Sequence, residues 1–266
     1  MRIKTFACDG CGRCAPYCPV GAILPEPNGA YSIKEDECVE CGVCLRSAGC
    51  PHGCFTVTPS PWPRSLRSLF SNPLVEHRDT RVPGRGTEEM KTNDVTARFL
   101  PGQIGLMIEV GRPALGARLR DVERITMALA RIGIEIHPCN PLRGLIEDPK
   151  SGRLFPEVLE EKVLSVIVEC IIAEDRLHAV LDTIRRTARG LRSVCTVGLI
   201  RRFEDPHGIA SGESPREWAR RQALPVAPNG KVNLAMGRAP LPTVSLCDAL
   251  AGRVSASAGA DLREQS

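Results

Sequence analysis

The feature that most constrains this chain is a pair of matched cysteine runs. The first is Cys8-Asp-Gly-Cys11-Gly-Arg-Cys14-Ala-Pro-Tyr-Cys18-Pro19. The second is Cys38-Val-Glu-Cys41-Gly-Val-Cys44, then five residues, then Cys50-Pro51. The second repeats the first with two extra residues before its last cysteine. Three cysteines at successive two-residue gaps, followed by Cys-Pro, make the ligand run of a [4Fe–4S] cube, which takes one thiolate per iron. Four-cysteine zinc sites seldom use this spacing.

The tight loop supplies three thiolates, and Gly12 and Gly42 leave room for the backbone to wrap the cube and aim its N–H groups at sulfur. With two such runs, the fourth cysteine of each ligates the other cluster. Cluster 1 is therefore assigned to Cys8, Cys11, Cys14 and Cys50, and cluster 2 to Cys38, Cys41, Cys44 and Cys18. Pro19 and Pro51 fix φ and turn the chain away from each cube. The insertion makes Cys54 the alternative to Cys50. Aligning Cys18-Pro-Val-Gly-Ala22-Ile with Cys50-Pro-His-Gly-Cys54-Phe puts Cys54 where the first run has Ala22. Cys54 then reads as a buried thiol, and His52 as a solvated loop side chain.

On these residues, positions 1–60 resemble a bacterial-type dicluster ferredoxin, departing from that pattern only in the longer Cys44–Cys50 gap. The resemblance implies a small carrier of single electrons at low potential with two [4Fe–4S] clusters. A second likeness covers Arg78 to Arg98 and Val110-Gly-Arg-Pro113. It is similar to segments beside the clusters of iron–sulfur reductases of the 6-hydroxynicotinate reductase type. That likeness implies an alternative role as the iron–sulfur subunit of a reductase acting on an aromatic N-heterocycle. It carries over no catalytic residue.

Nine of the thirteen cysteines fall within residues 8–54, which favours metal ligation over disulfides. With no leader pattern after Met1 and no run of about 18 apolar residues, the reading is a soluble cytoplasmic protein without a membrane partner. Aromatic residues are 4% of the chain, too few for base-stacking platforms, so nucleic acid is not expected as a partner. The expected partner is an oxidoreductase that gives or takes electrons.

Four segments are expected in this α+β chain. Residues 1–60 form the cluster unit, with short strands at 3–6, 22–24, 31–33 and 55–58 and a turn at Pro27-Asn-Gly29. Residues 61–103 form a polar, Pro/Gly-rich connector with a short helix at 65–70. In it, Arg78, Arg81, Arg85 and Lys91 read either as solvated linker charges or as a docking element. Residues 104–202 read as a βαββαβ sandwich. Its strands are 104–110, 133–138, 163–173 and 194–201, with the first and third central. Its helices run from 117 to 132 and from 174 to the stop at Gly190. The half-apolar far face of the sheet, with Met107, Glu109, Ser165, Ile167, Glu169 and Ile171, is expected to be covered. The connector, the cluster unit or a second subunit in a homodimer would do so. The loop 111–116 reads as a strand-to-helix turn with an anion site as the alternative. Residues 203–266 form an irregular extension, with a helix at 215–222 anchored by Trp218, a strand at 231–236 and a frayed tail.

Overall fold

A computed structural model describes residues 1–77, 81–83, 99–112, 116–201 and 215–224. The cluster unit is built on the repeat. Strand β1 (Arg2–Ile3), β2 (Ile23–Pro25), β3 (Tyr31–Ile33), helix α1 (Val43–Ser47) and β4 (Phe55–Thr56) follow in order. Strands β1 and β4 pair antiparallel, Ile3 opposite Phe55, and so tie the start of the unit to its end. Strands β2 and β3 form the hairpin expected around Pro27-Asn-Gly29. Its turn is closed by Glu26 N–H to the Ala30 carbonyl at 2.7 Å and by Ala30 N–H to Asn28 Oδ1 at 3.1 Å. The two extra residues of the second run are accommodated locally. Where the first run has a single 3-10 turn, Ala15–Tyr17, the second has the five-residue α1.

After the cluster unit comes helix α2 (Ser65–Ser71), within a residue of expectation. It is short, and its stability comes from packing rather than propensity. Leu66 and Phe70, each 1% exposed, enter the main hydrophobic core of the chain.

That core is organised by a three-stranded sheet. Strand β5 (Gln103–Val110) lies in the middle, with β10 (Val166–Ala173) on one side and β11 (Cys195–Arg201) on the other, both antiparallel to it. The elements between them are β6 (Ala117–Arg118), α3 (Leu119–Arg131), the hairpin β7 (Ile146–Asp148) with β8 (Arg153–Leu154), and β9 (Lys162–Val163), which pairs with β6. Helix α4 (Leu177–Ala188) follows β10. Alternate β5 residues Ile104, Leu106, Ile108 and Val110 are fully buried against Val122, Ile125 and Leu129 of α3 and Val180 and Ile184 of α4. Period two on the strand meets period 3.6 on the helices, so one sheet face and two helix stripes close a single core. Helix α5 (Pro215–Arg221) adds Trp218, 5% exposed, whose indole N–H donates to Glu174 at 3.0 Å.

The four-stranded sandwich expected from the sequence is corrected in one strand. Residues 133–138 form no ladder. Ile134 and Ile136 are buried at 7% each, so their alternation reports core contact rather than strand pairing. The segment runs beside β10 and donates one backbone bond to it, His137 N–H to the Glu169 carbonyl at 2.7 Å. Pro138 has no N–H to continue. Asn140 takes over from the side chain, donating to the Ile167 carbonyl at 2.9 Å and to the Glu169 carboxylate at 3.1 Å. Thus 103–110 is central as expected, while 166–173 sits at an edge of the sheet. Gly190 does not close α4 in a left-handed turn. The helix ends at Ala188 with Arg189 still right-handed.

The far sheet face carries Phe99, 1% exposed, against Met107 and Ile167, with Ile171 and Ile200 at its margin. The last residues of the connector therefore cover it. Gly105 permits this, because a Cβ there would stand 2.4 Å from the Phe99 ring. The expected strand at 231–236 and the tail lie outside the described residues.

Candidate metal centre

The two runs gather their cysteines around two pockets of equal size, about 320 Å³ each with the mouth included. The first is lined by Cys8, Cys11, Cys14, Cys50 and Cys54 together with Gly12, Arg13, Ile3 and Phe55. The second is lined by Cys18, Cys38, Cys41 and Cys44 with Met1, Ile23, Ile33 and Val39. Cys18 thus faces the cysteines of the other run, and Cys50 likewise. Among the described residues no three Cys, His, Asp or Glu side chains converge tightly enough for a single ion. Four thiols around an open space are what a cube requires, since each of its irons takes a separate sulfur.

Local backbone shape explains how each loop opens around its pocket. Gly12 and Gly42 adopt φ of 68° and 70°, a conformation that costs residues with a Cβ about 1–2 kcal/mol. At Gly12 a Cβ would also stand 2.9 Å from the Tyr31 hydroxyl. Backbone N–H groups point at sulfur as the wrapping argument requires. Ala22 N–H donates to Cys18 Sγ at 3.1 Å, Tyr31 N–H to Cys8 Sγ at 3.4 Å, and Cys54 N–H to Cys50 Sγ at 3.5 Å. The first and third are the same bond in the two repeats. Ala22 and Cys54 are also equivalent in burial, 1% and 3% exposed.

That equivalence bears on Cys50 and Cys54. The Cys54 thiol donates to the Ala7 carbonyl at 3.2 Å, and desolvation first, then its bond with Cys50, pushes it up to about 11. Cys50 is held below its ordinary value, chiefly by the Cys54 backbone N–H. Burial acts on the second set as well. Desolvation raises Cys38 and Cys41 and pushes Cys44 up to about 12. Bound iron would reverse this, because a coordinating thiol is deprotonated outright. The donors, the open space and the N–H groups fit a cube in each pocket. His52 is a half-exposed loop side chain, its Nε2 3.1 Å from Asp9 Oδ2.

The two pockets differ in their walls. In the first, Cys11 is exposed and Cys8, Cys14 and Cys50 are half-buried; in the second, Cys18 and Cys38 are half-buried and Cys41 and Cys44 are buried. The second loop is also held from outside the cluster unit, which the sequence reading missed. Arg67 of α2 is buried, and its Nη1 donates to the carbonyls of Glu35 at 2.9 Å, Asp36 at 3.0 Å and Cys38 at 2.8 Å. Its Nε pairs with Glu161 of the second unit. Around it, Lys162 pairs with Glu37, Arg118 with Asp36 and Glu37 at 3.2 Å, and Arg64 with Glu40 at 2.9 Å. In the sequence Arg67 shows only that it shares one face of α2 with Phe70 and Ser71, at i+3 and i+4, which points to burial but names no partner.

Elsewhere, among the described residues, the expected sites bring little together. Of the segment 78–98, only residues 81–83 are described. Arg81 is exposed there, while Arg78, Arg85 and Lys91 lie outside the described residues. Arg112 of the 111–116 loop is 3.8 Å from Glu109. Cys170 is buried in the core as expected, its thiol pushed up to about 12 by desolvation.

A repeated module whose two pockets gather five and four thiols, each pocket drawing on both runs, marks an iron–sulfur segment. Residues 7–61 match the family model described as a 4Fe-4S dicluster domain. A 41-residue stretch is 44% identical to a "Ferredoxin-like protein in vnf region" of Azotobacter chroococcum mcd 1. It is 42% identical to a protein of the same description from Azotobacter vinelandii. The stretch is 15% of this chain and 62% of each relative, so the chain spans under two thirds of the length of the curated relatives it matches. No solved structure matches. The N-terminal segment is a dicluster ferredoxin segment, and its cofactors are two [4Fe–4S] clusters. No helix among the described residues is long and apolar enough to cross a membrane.

Proposed function

We propose that this protein is an electron carrier. In this reading, Cys8, Cys11, Cys14 and Cys50 hold one cluster, and Cys38, Cys41, Cys44 and Cys18 hold the other. When bound, each cluster takes up and returns a single electron. The residues of the chain supply the thiolates, direct N–H groups at them and keep water from the second pocket. Electrons pass to a partner oxidoreductase through the open loops of the first pocket, within a reducing compartment such as the cytoplasm.

The observation that carries this reading is the interleaving of the two runs. Cys18 lies in the pocket of the second run and Cys50 in the pocket of the first. The test is anaerobic purification of the full chain, with iron and sulfide assayed and the product reduced by a one-electron donor. About eight iron and eight sulfide per chain are expected, with reduced-cluster signals that decay on adding a one-electron acceptor. Zinc in place of iron, or iron that cannot be reduced and reoxidised, would refute the reading.

A further inference from the structure

The charged seam behind the second pocket has a polarity that electron transfer can use. Arg67 has no role in the cluster motif, which ends before it. Its side chain is only 4% exposed, and it lies between two different neighbours. On one side are the Glu35, Asp36 and Cys38 carbonyls. On the other is the Glu161 carboxylate, 12% exposed. The guanidinium cannot lose its proton. A fixed positive charge is therefore bonded to the carbonyl of Cys38, a residue of the second pocket, and is paired through its Nε with Glu161. Another charge in contact with this arginine, Asp36, is 82% exposed and 3.9 Å away, so water screens it.

Adding an electron to a cluster makes its surroundings more negative. A buried cation bonded to the carbonyl of a ligating cysteine stabilises that added charge more than an exposed cation would. Around the first pocket the lining cation is Arg13, which is exposed, whereas the second has the Met1 ammonium, paired with Glu40, and Arg46, bonded to the Cys41 carbonyl at 2.8 Å, in addition to Arg67. The two sites thus differ in an electrostatic term that α2 and the second unit supply.

We infer that Arg67 is a positioning residue for electron transfer. Through the Cys38 loop it raises the reduction potential of the second cluster and biases the shared electron toward it. Glu161 sets the size of that bias by partly neutralising the arginine. The inference rests on the electron-carrier reading above.

Anaerobic full-length protein with both clusters tests it. The protein is titrated with dithionite through viologen mediators, which supply one electron per cluster, and the reduced clusters are read by electron paramagnetic resonance. Cys11→Ala, in the exposed loop, identifies the wave of the first cluster by altering it. Arg67→Met is expected to move the other wave to more negative potential. At a fixed applied potential the reduced-to-oxidised ratio of the second cluster falls by on the order of tenfold, the scale of one partly buried charge. Glu161→Gln breaks the same ion pair yet moves the same wave to more positive potential, and Arg67→Lys keeps part of the wild-type value.

A purely structural role predicts that Arg67→Met and Glu161→Gln act alike. Shifts of the same sign, equal shifts of both waves, or no shift in either variant would overturn the inference. If Arg67→Met fails to retain its second cluster, the sign of the Glu161→Gln shift decides alone. Wild-type protein without reducible clusters would instead sink the electron-carrier reading, and iron and sulfide assays on that same sample tell the two failures apart.

Discussion

Replacing Gly105 with alanine tests how the far face of the sheet is closed. A Cβ at this position would lie 2.4 Å from Phe99 Cε1 and 2.6 Å from Cζ. The ring has no room to retreat without losing its contacts with Met107 and Ile167. Overpacking of this kind costs about 1–3 kcal/mol, so Gly105→Ala should destabilise the second unit by that amount. With Phe99→Ala in place, the obstacle is gone. Alanine is then the better residue, because glycine inside a strand is worse by roughly 0.5–1 kcal/mol. The effect of one methyl group should therefore change sign between the two backgrounds, a coupling of about 1.5–4 kcal/mol. Urea unfolding followed by tryptophan fluorescence reads it, since Trp62 and Trp218 both pack against the main core. Equal costs in both backgrounds would refute the reasoning, because the clash with Phe99 would not then be what demands glycine.

Other outcomes follow from the same contacts. Cys50→Ala should lose or convert one cluster, while Cys54→Ala should retain about eight iron per chain; iron assays that reversed this would make Cys54 the ligand. Asn140→Ala leaves the Ile167 carbonyl and the Glu169 carboxylate short of a donor and should cost about 1–3 kcal/mol in urea unfolding. Glu37 is held below its ordinary value of 4.5, chiefly by its bond to Lys162. Its contribution is therefore full above pH 4.5 and is lost as pH falls through the lower folded value. The urea midpoints of wild type and Glu37→Gln should differ by a constant amount from pH 8 to 6 and converge below 4.5. Chelation of the iron should raise hydrogen exchange across β1 to β4 and leave β5 and β10 protected, because the cluster unit has little apolar core of its own.

Much of this architecture was legible because it obeys simple periods. Residues 104, 106, 108 and 110 alternate, and 122, 125 and 129 recur at helical spacing. Both patterns proved to be burial patterns. The same logic misled at Ile134 and Ile136, where alternating burial occurs without a ladder. Periodicity reports which side chains face a core, whereas pairing needs backbone donors, and Pro138 removes one. The cysteine spacing also anticipated that the fourth cysteine of each run lines the pocket of the other, but not that Cys54 would line the first pocket beside Cys50. Arg67 was harder to read. Its partners lie at Glu35, Asp36, Cys38 and Glu161, and a window of sequence around α2 cannot reveal contacts made 29 to 94 residues away. The covering of the sheet by Phe99 was one of three alternatives, and the glycine that admits the ring was the unused clue.

The unequal walls of the two pockets also govern how the molecule wears out. Dioxygen and peroxide reach a cluster through solvent, and the first pocket opens at exposed Cys11. The second lies beneath Met1 and Val39, at 8% and 1% exposure. Oxidative damage should therefore proceed in order, stripping the first site while the second persists. A half-loaded form would accumulate as a defined species in aerated samples. Its retained cluster would still brace the Cys38 loop against α2, so a repair system would meet a folded chain with one site to refill.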